Sequence, residues 1–172
     1  ASTSKYEGDW QSLPHTHHFT ELFYVISGLG KFLVEDRLIT VKENDMVIVN
    51  PNVEHTEKSM DSKPLEYIVF GVEGLTFSFG TPDVPENYGY YNYSAEKKNL
   101  LNFSQLMLRE IKEKKNGYEQ VCHDLLEVIL IYITRNDQFG IISTDASRMP
   151  KECASAKRYL DANYAQPITL DS

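Results

Sequence analysis

Residue 95 divides this sequence into two kinds of pattern, and no single regular architecture accommodates both. Before it, short apolar runs rich in β-branched and aromatic residues alternate with turn signals. Residues 22–27 (LFYVIS) end at Gly28 and Gly30, and 31–34 (KFLV) turn at Glu35-Asp36 into 38–41 (LITV). Asn44-Asp45 precedes 46–49 (MVIV), which Pro51 stops; 65–72 and 75–79 follow, parted by Glu73-Gly74. Runs of this kind at near-regular spacing predict an all-β sandwich or barrel. Their weak alternation predicts strands covered on both faces.

Residues 81–94 (TPDVPENYGYYNYS) read as a loop, and helical spacing begins after it. Leu100, Phe103, Met107 and Ile111 recur at three and four residues, and Asn116-Gly117 closes that helix. A second helix is expected from about Tyr118 to Arg135, antiparallel to the first. From Leu125 to Ile133 only Glu127 is polar, so this helix needs cover on more than one side. A second subunit and the monomer's own core are both able to supply it. Residues 138–150 read as a linker. Residues 151–164 read as a further amphipathic helix, with Ala154, Tyr159, Leu160 and Tyr164 as candidate buried positions. Thr169 reads as the N-cap of a helix that Leu170 opens. The sequence stops at Ser172 inside that first turn, so a further module is expected beyond it.

Charge follows the same divide. Residues 1–94 hold 6 Lys/Arg against 14 Asp/Glu, and residues 95–172 hold 11 against 11, giving the net −8. An acidic front half argues against phosphate binding there, since affinity for nucleic acid comes from cations that displace counterions. No apolar stretch reaches the ~18 residues of a membrane-spanning helix. The start, Ala1 to Tyr6, has no apolar core, so no signal peptide is legible. Cys122 and Cys153 fit no metal spacing. Free thiols in a cytoplasmic protein are the expectation.

Four of the five histidines fall in two places, His15, His17 and His18, then His55. In an extended segment alternate side chains share a face, so His15, His17 and Glu21 lie together and His18 points away. His55 follows in the pattern Asp45-x5-Pro51-x3-His55. Three imidazoles and a carboxylate suit a divalent transition metal such as Fe, Mn, Ni or Zn. A metal-free polar cluster that hydrogen-bonds a ligand satisfies the same pattern. Phe23 and Val25 share parity with Glu21 and are expected to line the interior, joined by Ile48 or Phe70. Trp10, the sole tryptophan, lies just before the histidines. Tyr88, Tyr90, Tyr91 and Tyr93 are placed to cover an opening, where aromatic faces suit a sugar. Packing is the simpler role for each of them, and helix packing or exposure the simpler role for His123.

The histidine pattern resembles the two motifs of the cupin superfamily, G-x5-H-x-H-x3,4-E-x6-G and G-x5-P-x-G-x2-H-x3-N. The first matches from His15 to Gly28, with Gly8 one residue farther from His15 than the motif has it. In the second, Pro51 and His55 are kept. Asn44 stands for the first glycine, Val53 for the second and Ser59 for the final asparagine. The resemblance implies a double-stranded β-helix (jelly-roll) barrel with His15, His17, Glu21 and His55 at the metal-ligand positions.

The stretch PHTHHFTELFYVISGLGKFLVEDRLITVKENDMVIVNPNVEHT also resembles the sensor domain of AraC-type transcription regulators. The two helices after residue 95 resemble that family's dimerisation hairpin. CASAKRYLDANYAQPITLDS resembles the start of its DNA-binding domain. This implies a cupin-like effector-binding barrel at 1–94, a dimerisation hairpin at 95–137, a linker at 138–150 and an incomplete DNA-binding domain at 151–172. It also implies a non-enzymatic, homodimeric sensor whose small-molecule effector, such as a sugar, contacts Trp10, His15, His17, Glu21, Phe23, Val25 and His55. DNA would be bound only through the module beyond Ser172. The competing expectation is a metal-dependent cupin enzyme, a dioxygenase or isomerase, using His15, His17, Glu21 and His55.

Overall fold

The computed structural model describes residues 1–5, 11–60, 63–81, 83–135 and 139–143. In order these form β1 (Ser2–Lys5), β2 (Thr20–Ser27), β3 (Leu29–Val34), β4 (Arg37–Lys42), β5 (Asp45–Val49), β6 (His55–Ser59), β7 (Glu66–Val72), β8 (Leu75–Thr81), β9 (Val84–Glu86), β10 (Tyr88–Asn92), α1 (Lys97–Glu113), α2 (Tyr118–Thr134) and β11 (Gly140–Ser143). A five-stranded sheet has the order β1-β7-β2-β5-β10, and two three-stranded sheets have the orders β4-β3-β6 and β11-β8-β9.

The large sheet is buried on both faces, which is why its strands alternate so weakly. On one face Phe23 and Val25 of β2 pack with Phe32, Val34, Val41, Val47, Val49 and Tyr67, filling the space against the β4-β3-β6 sheet. On the other, Leu22 and Tyr24 pack with Ile48, Ile68, Phe70, Phe77 and Phe79, under Leu100 and Met107 of α1 and Ile129 and Ile133 of α2. Ile48 and Phe70 therefore do not join the barrel interior. Leu22 pairs with Ile48 on one side and with Phe70 on the other. Directly opposed residues share a face, so both go with Leu22 to the helical side.

Turn chemistry works as the sequence suggested at most joints. Glu35-Asp36 closes the β3–β4 hairpin, with Val34 opposite Arg37. Gly28, at φ +88°, leaves β2 where a Cβ would stand 1.9 Å from the Pro64 carbonyl oxygen, so no side chain fits. The stretch 81–94 is not a loop, since β9 pairs with β8 and β10 pairs with β5. The proline, glycine and tyrosine content hid a strand that the free edge of β5 stabilises. Within the stretch read as a linker, Gly140–Ser143 adds to the edge of β8. The helix expected over 151–164 and the turn at 169–172 lie outside the described residues.

The helices form an antiparallel hairpin in which the Phe103 and Tyr132 rings lie 5.6 Å apart. The first helix ends earlier than Asn116-Gly117. Lys114 adopts the left-handed conformation and its N–H caps the Glu110 carbonyl, while Gly117 (φ 83°) starts α2. The sheet covers Ile129 and Ile133, whereas Ile131 stays 51% exposed and Val121 39% exposed. No helix among the described residues is long and apolar enough to cross a membrane.

Candidate metal centre

The site is assembled by backbone pairing before any side chain is placed. His15 and His55 exchange two backbone hydrogen bonds, at 3.1 and 3.0 Å, which sets their rings side by side with centroids 4.4 Å apart. Residues 11–19 are thus an extended strap joined to β6 by bridges, not a full strand, but their alternation matches the expected parity. The Asn52 N–H donates to the His17 carbonyl at 2.7 Å, tying the strap to the turn before β6. Glu21 enters from β2 in the middle of the large sheet, opposite Val49 and Gly71.

That turn corrects the sequence alignment. The residues with left-handed backbone are Asn44 (φ 67°) and Asn52 (φ 64°), not Val53. Asparagine is among the few side-chain-bearing residues that tolerate this region. Counting back from His55, the two glycine positions of the second motif fall on Asn44 and Asn52 and its proline position on Asn50, so Pro51 stands one residue late and is not the motif's proline. Both positions take the left-handed backbone without a glycine.

One ligand atom from each of His15, His17, Glu21 and His55 lies within 4.8 Å of the other three. His55 Nε2 is 3.0 Å from Glu21 Oε2, and His17 Nε2 is 3.5 Å from the same oxygen. The other ring nitrogens face outward. His15 Nδ1 lies 2.8 Å from the Leu13 carbonyl and His55 Nδ1 lies 3.0 Å from the Val53 carbonyl. A carbonyl only accepts, so each Nδ1 carries the proton. In the neutral rings Nε2 is then left as a lone pair aimed into the cluster, which is how metal-binding imidazoles are commonly held. Phe19 supports His17 by stacking, with centroids at 4.9 Å and an interplanar angle of 20°. Phe19 itself lies on Gly71, where a Cβ would come within 2.8 Å of its ring.

The electrostatics are uneven. The side chains of His55 and Glu21 are 1% and 10% exposed, while those of His15 and His17 are 33% and 36% exposed. The site therefore has a buried floor and a wet mouth. Burial lowers the His17 pKa, aided by the neighbouring His15 and His55 and opposed by Glu21. Burial also pulls on His55, but its contacts with Glu21 and the Val53 carbonyl and the nearby Glu57 outweigh it, so its pKa is raised. Even so, Glu21 Oε2 and His55 Nε2 are buried and make no hydrogen bond. At 3.0 Å the two atoms lie within hydrogen-bonding distance, with no hydrogen bond between them.

The other expected contact residues are distributed as follows. Phe23 meets His55 edge-on, with centroids 5.7 Å apart, beneath the cluster. Val25 is fully buried in the packing of the barrel. Trp10 lies outside the described residues. His18 points away and meets Glu73 at 3.5 Å. Tyr90 donates to Asp45 at 2.8 Å, Tyr93 donates to the Ile133 carbonyl at 2.9 Å, and Tyr88 packs in the barrel. Exposed His123 sits on α2, near Asp124 and Glu127. Sequence reasoning passed over Glu57, a buried carboxylate 3.8 Å from His15 Nε2 and 4.0 Å from His55 Nε2. Its signal was present, since Glu57 follows His55 by two residues and so shares its face in β6.

Comparison with known proteins agrees with the fold of this region. Residues 4–71, which carry His15, His17, Glu21 and His55, match the cupin domain family. No curated protein matches the sequence. Similar solved structures include a cupin superfamily protein from Desulfitobacterium hafniense DCB-2, with 10% identity and TM-score 0.37 over 39% of this chain and 60% of that one. KdgF from a Halomonas species has 17% identity and TM-score 0.37, over 40% of this chain and 64% of that one. Oxalate decarboxylase from Bacillus subtilis, in a study of its Mn(II) centres, has 14% identity and TM-score 0.38, over 49% of this chain and 22% of that one. The chain thus spans less than two thirds of the length of each of these three.

Proposed function

We propose that this cupin domain is a metal-dependent one, with His15, His17, Glu21 and His55 as donors to a single divalent transition metal. The observation that carries this reading is the buried pair Glu21 Oε2 and His55 Nε2, left without hydrogen bonds at 3.0 Å. An unsatisfied buried polar atom costs about 1–3 kcal/mol, more when charged. With His55 neutral these are two acceptors side by side, and a cation between them relieves both. The donor set suits Mn, Fe, Ni or Zn, and the outward Nδ1 contacts hold His15 and His55 in the ligating tautomer. When bound, such an ion supplies a Lewis acid that polarises an oxygen of a small molecule. The residues do the rest: Phe19 orients His17, Phe23 excludes water beneath His55, and the half-exposed His15 and His17 leave an approach from the mouth. The corresponding activity is that of a cupin dioxygenase or isomerase acting on a small molecule. Elemental analysis of the purified chain is expected to find about one divalent transition metal per molecule, or stoichiometric uptake after stripping. A metal-free protein that takes up no Mn, Fe, Ni or Zn would overturn the reading.

The helical hairpin favours a second reading, in which the same barrel is the sensor of an AraC-type regulator. Here α1 and α2 pack on the large sheet, while Val121 and Ile131 of α2 are left open to water. A homodimer through this face would bury them, a small effector would occupy the barrel mouth, and DNA would be bound by a following module. Light scattering at micromolar concentration tests the dimer, and a monomeric mass would remove it. Turnover on candidate substrates with the metal-loaded chain separates the enzyme from the sensor.

A further inference from the structure

The buried carboxylate of Glu57 has no role in the four-donor centre, yet its placement is over-determined. Its backbone is pinned to the strap on both sides: the Ser12 N–H donates to the Glu57 carbonyl at 2.9 Å, and the Glu57 N–H donates to Ser12 Oγ at 2.8 Å. It is 3% exposed. Its side chain accepts no hydrogen bond from any other described residue, and its Oε1 faces the Nε2 atoms of His15 and His55, at 3.8 and 4.0 Å. Both imidazoles present lone pairs there when neutral, because their Nδ1 atoms face the Leu13 and Val53 carbonyls. A buried carboxylate that accepts no hydrogen bond is compensated by a cation beside it, either a protonated imidazole or a bound metal. The spacings fit a shared ion. Two donors each about 2.1 Å from one metal are at most about 4.2 Å apart.

We propose that Glu57 is a fifth donor, so that the centre comprises three imidazoles and two carboxylates. This rests on the metal-centre reading above and deepens it. Two carboxylates cancel the charge of a divalent ion, where Glu21 alone would leave it at +1. The loaded site then takes a neutral oxygen ligand, a hydroxyl or carbonyl, in preference to a carboxylate anion. The added oxygen donor also shifts preference from Zn(II) toward Mn(II), a harder ion suited to carboxylates.

Mn(II) titration with electron paramagnetic resonance on the full chain tests this. Glu57→Gln is expected to weaken Mn(II) binding by about 10–100-fold, at least the loss typical of an outer-shell partner, and to change the zero-field splitting at saturating metal. Azide, a small anion, is expected to perturb the Mn(II) spectrum of the variant at lower concentration than that of the native chain. Glu21→Gln serves as the control. If Glu21→Gln loses Mn(II) while Glu57→Gln keeps native affinity and spectrum, the four-donor centre stands and the fifth donor is refuted. If the native chain binds no Mn(II), Fe(II), Ni(II) or Zn(II), the centre itself is refuted. Equal azide affinity in the native chain and Glu57→Gln would refute the neutral-ion assignment. Circular dichroism in chelator checks folding. Should Glu57→Gln not fold, Glu57→Asp keeps the charge and withdraws it by one methylene. It is expected to give intermediate affinity with an altered spectrum, and native behaviour would refute the role.

Discussion

Glu21→Gln should change the sign of its effect with the occupancy of the site. In the metal-free chain at alkaline pH, His55 is neutral, with its Nδ1 proton facing the Val53 carbonyl. Glu21 Oε2 and His55 Nε2 are then two acceptors 3.0 Å apart, both buried and both unsatisfied. A glutamine amide placed where Oε2 now lies can donate to Nε2, which removes one charge and satisfies one acceptor. Relief of an unsatisfied buried group is worth about 1–3 kcal/mol. At roughly 2–4 °C per kcal/mol for a chain of this size, Tm should rise by about 2–12 °C. With metal the ranking inverts. The native chain gains about 2.7 kcal/mol from a ligand at 100 times its Kd, while the variant, short of its anionic donor, gains far less. In acid the metal-free comparison also inverts, because protonated His55 then has Glu21 as its counter-ion. Thermal unfolding followed by circular dichroism, in chelator and in excess Mn(II) or Zn(II), reads all three conditions. A variant that is less stable than the native chain in chelator at alkaline pH, and responds equally to metal, would refute the reasoning.

Further outcomes follow from the same geometry. Folding raises the His55 pKa, so its protonated form stabilises the metal-free chain fully below the unfolded histidine value of about 6.5, and that contribution is lost as pH rises through the higher folded value. The slope of metal-free Tm against pH should flatten in His55→Gln, and an unchanged slope would show that His55 is not the group responsible. Asn52→Gly should be neutral or slightly stabilising at φ 64°, whereas Asn52→Val should cost about 1–2 kcal/mol in urea unfolding and weaken metal binding. Equal stability of the two variants would deny the turn its role. Asp45 is fully buried and accepts hydrogen bonds from the Lys42 N–H, Tyr90 and Asn92. Asp45→Ala should therefore cost about 2–4 kcal/mol in the same assay, and a loss under ~0.5 kcal/mol would show these bonds to be solvent-compensated.

Parts of the site were legible because they depend on local repeats. Period-2 alternation placed His15, His17 and Glu21 on one face, and it holds even though residues 11–19 are a bridged strap and not a full strand. The same rule reaches Glu57 from His55, but nothing in the sequence says that this acidic residue is buried. That follows from Ser12 and the strap closing over β6. Anchoring the second motif on Pro51 put its second glycine position at Val53, one residue late, since the motif's spacing back from His55 gives Asn52. Asn44 and Asn52 stand in for glycine only by virtue of their φ.

Sequence alone therefore determined most of the division into strands and helices, the β3–β4 hairpin joint and the four candidate donors, all set by side-chain period and turn chemistry within a few residues. Tertiary structure decided which face of each strand is which. Register across β2, β5 and β7 sends Ile48 and Phe70 to the helices and Val47 and Tyr67 into the barrel. It also made a strand of the tyrosine-rich stretch, by offering it the open edge of β5. Above all it brought His55 and Glu57, more than thirty residues along the chain from Glu21, to the same few ångströms. That convergence leaves buried acceptors without donors, and such a deficit exists only once chain segments distant in sequence meet in a space that water cannot fill.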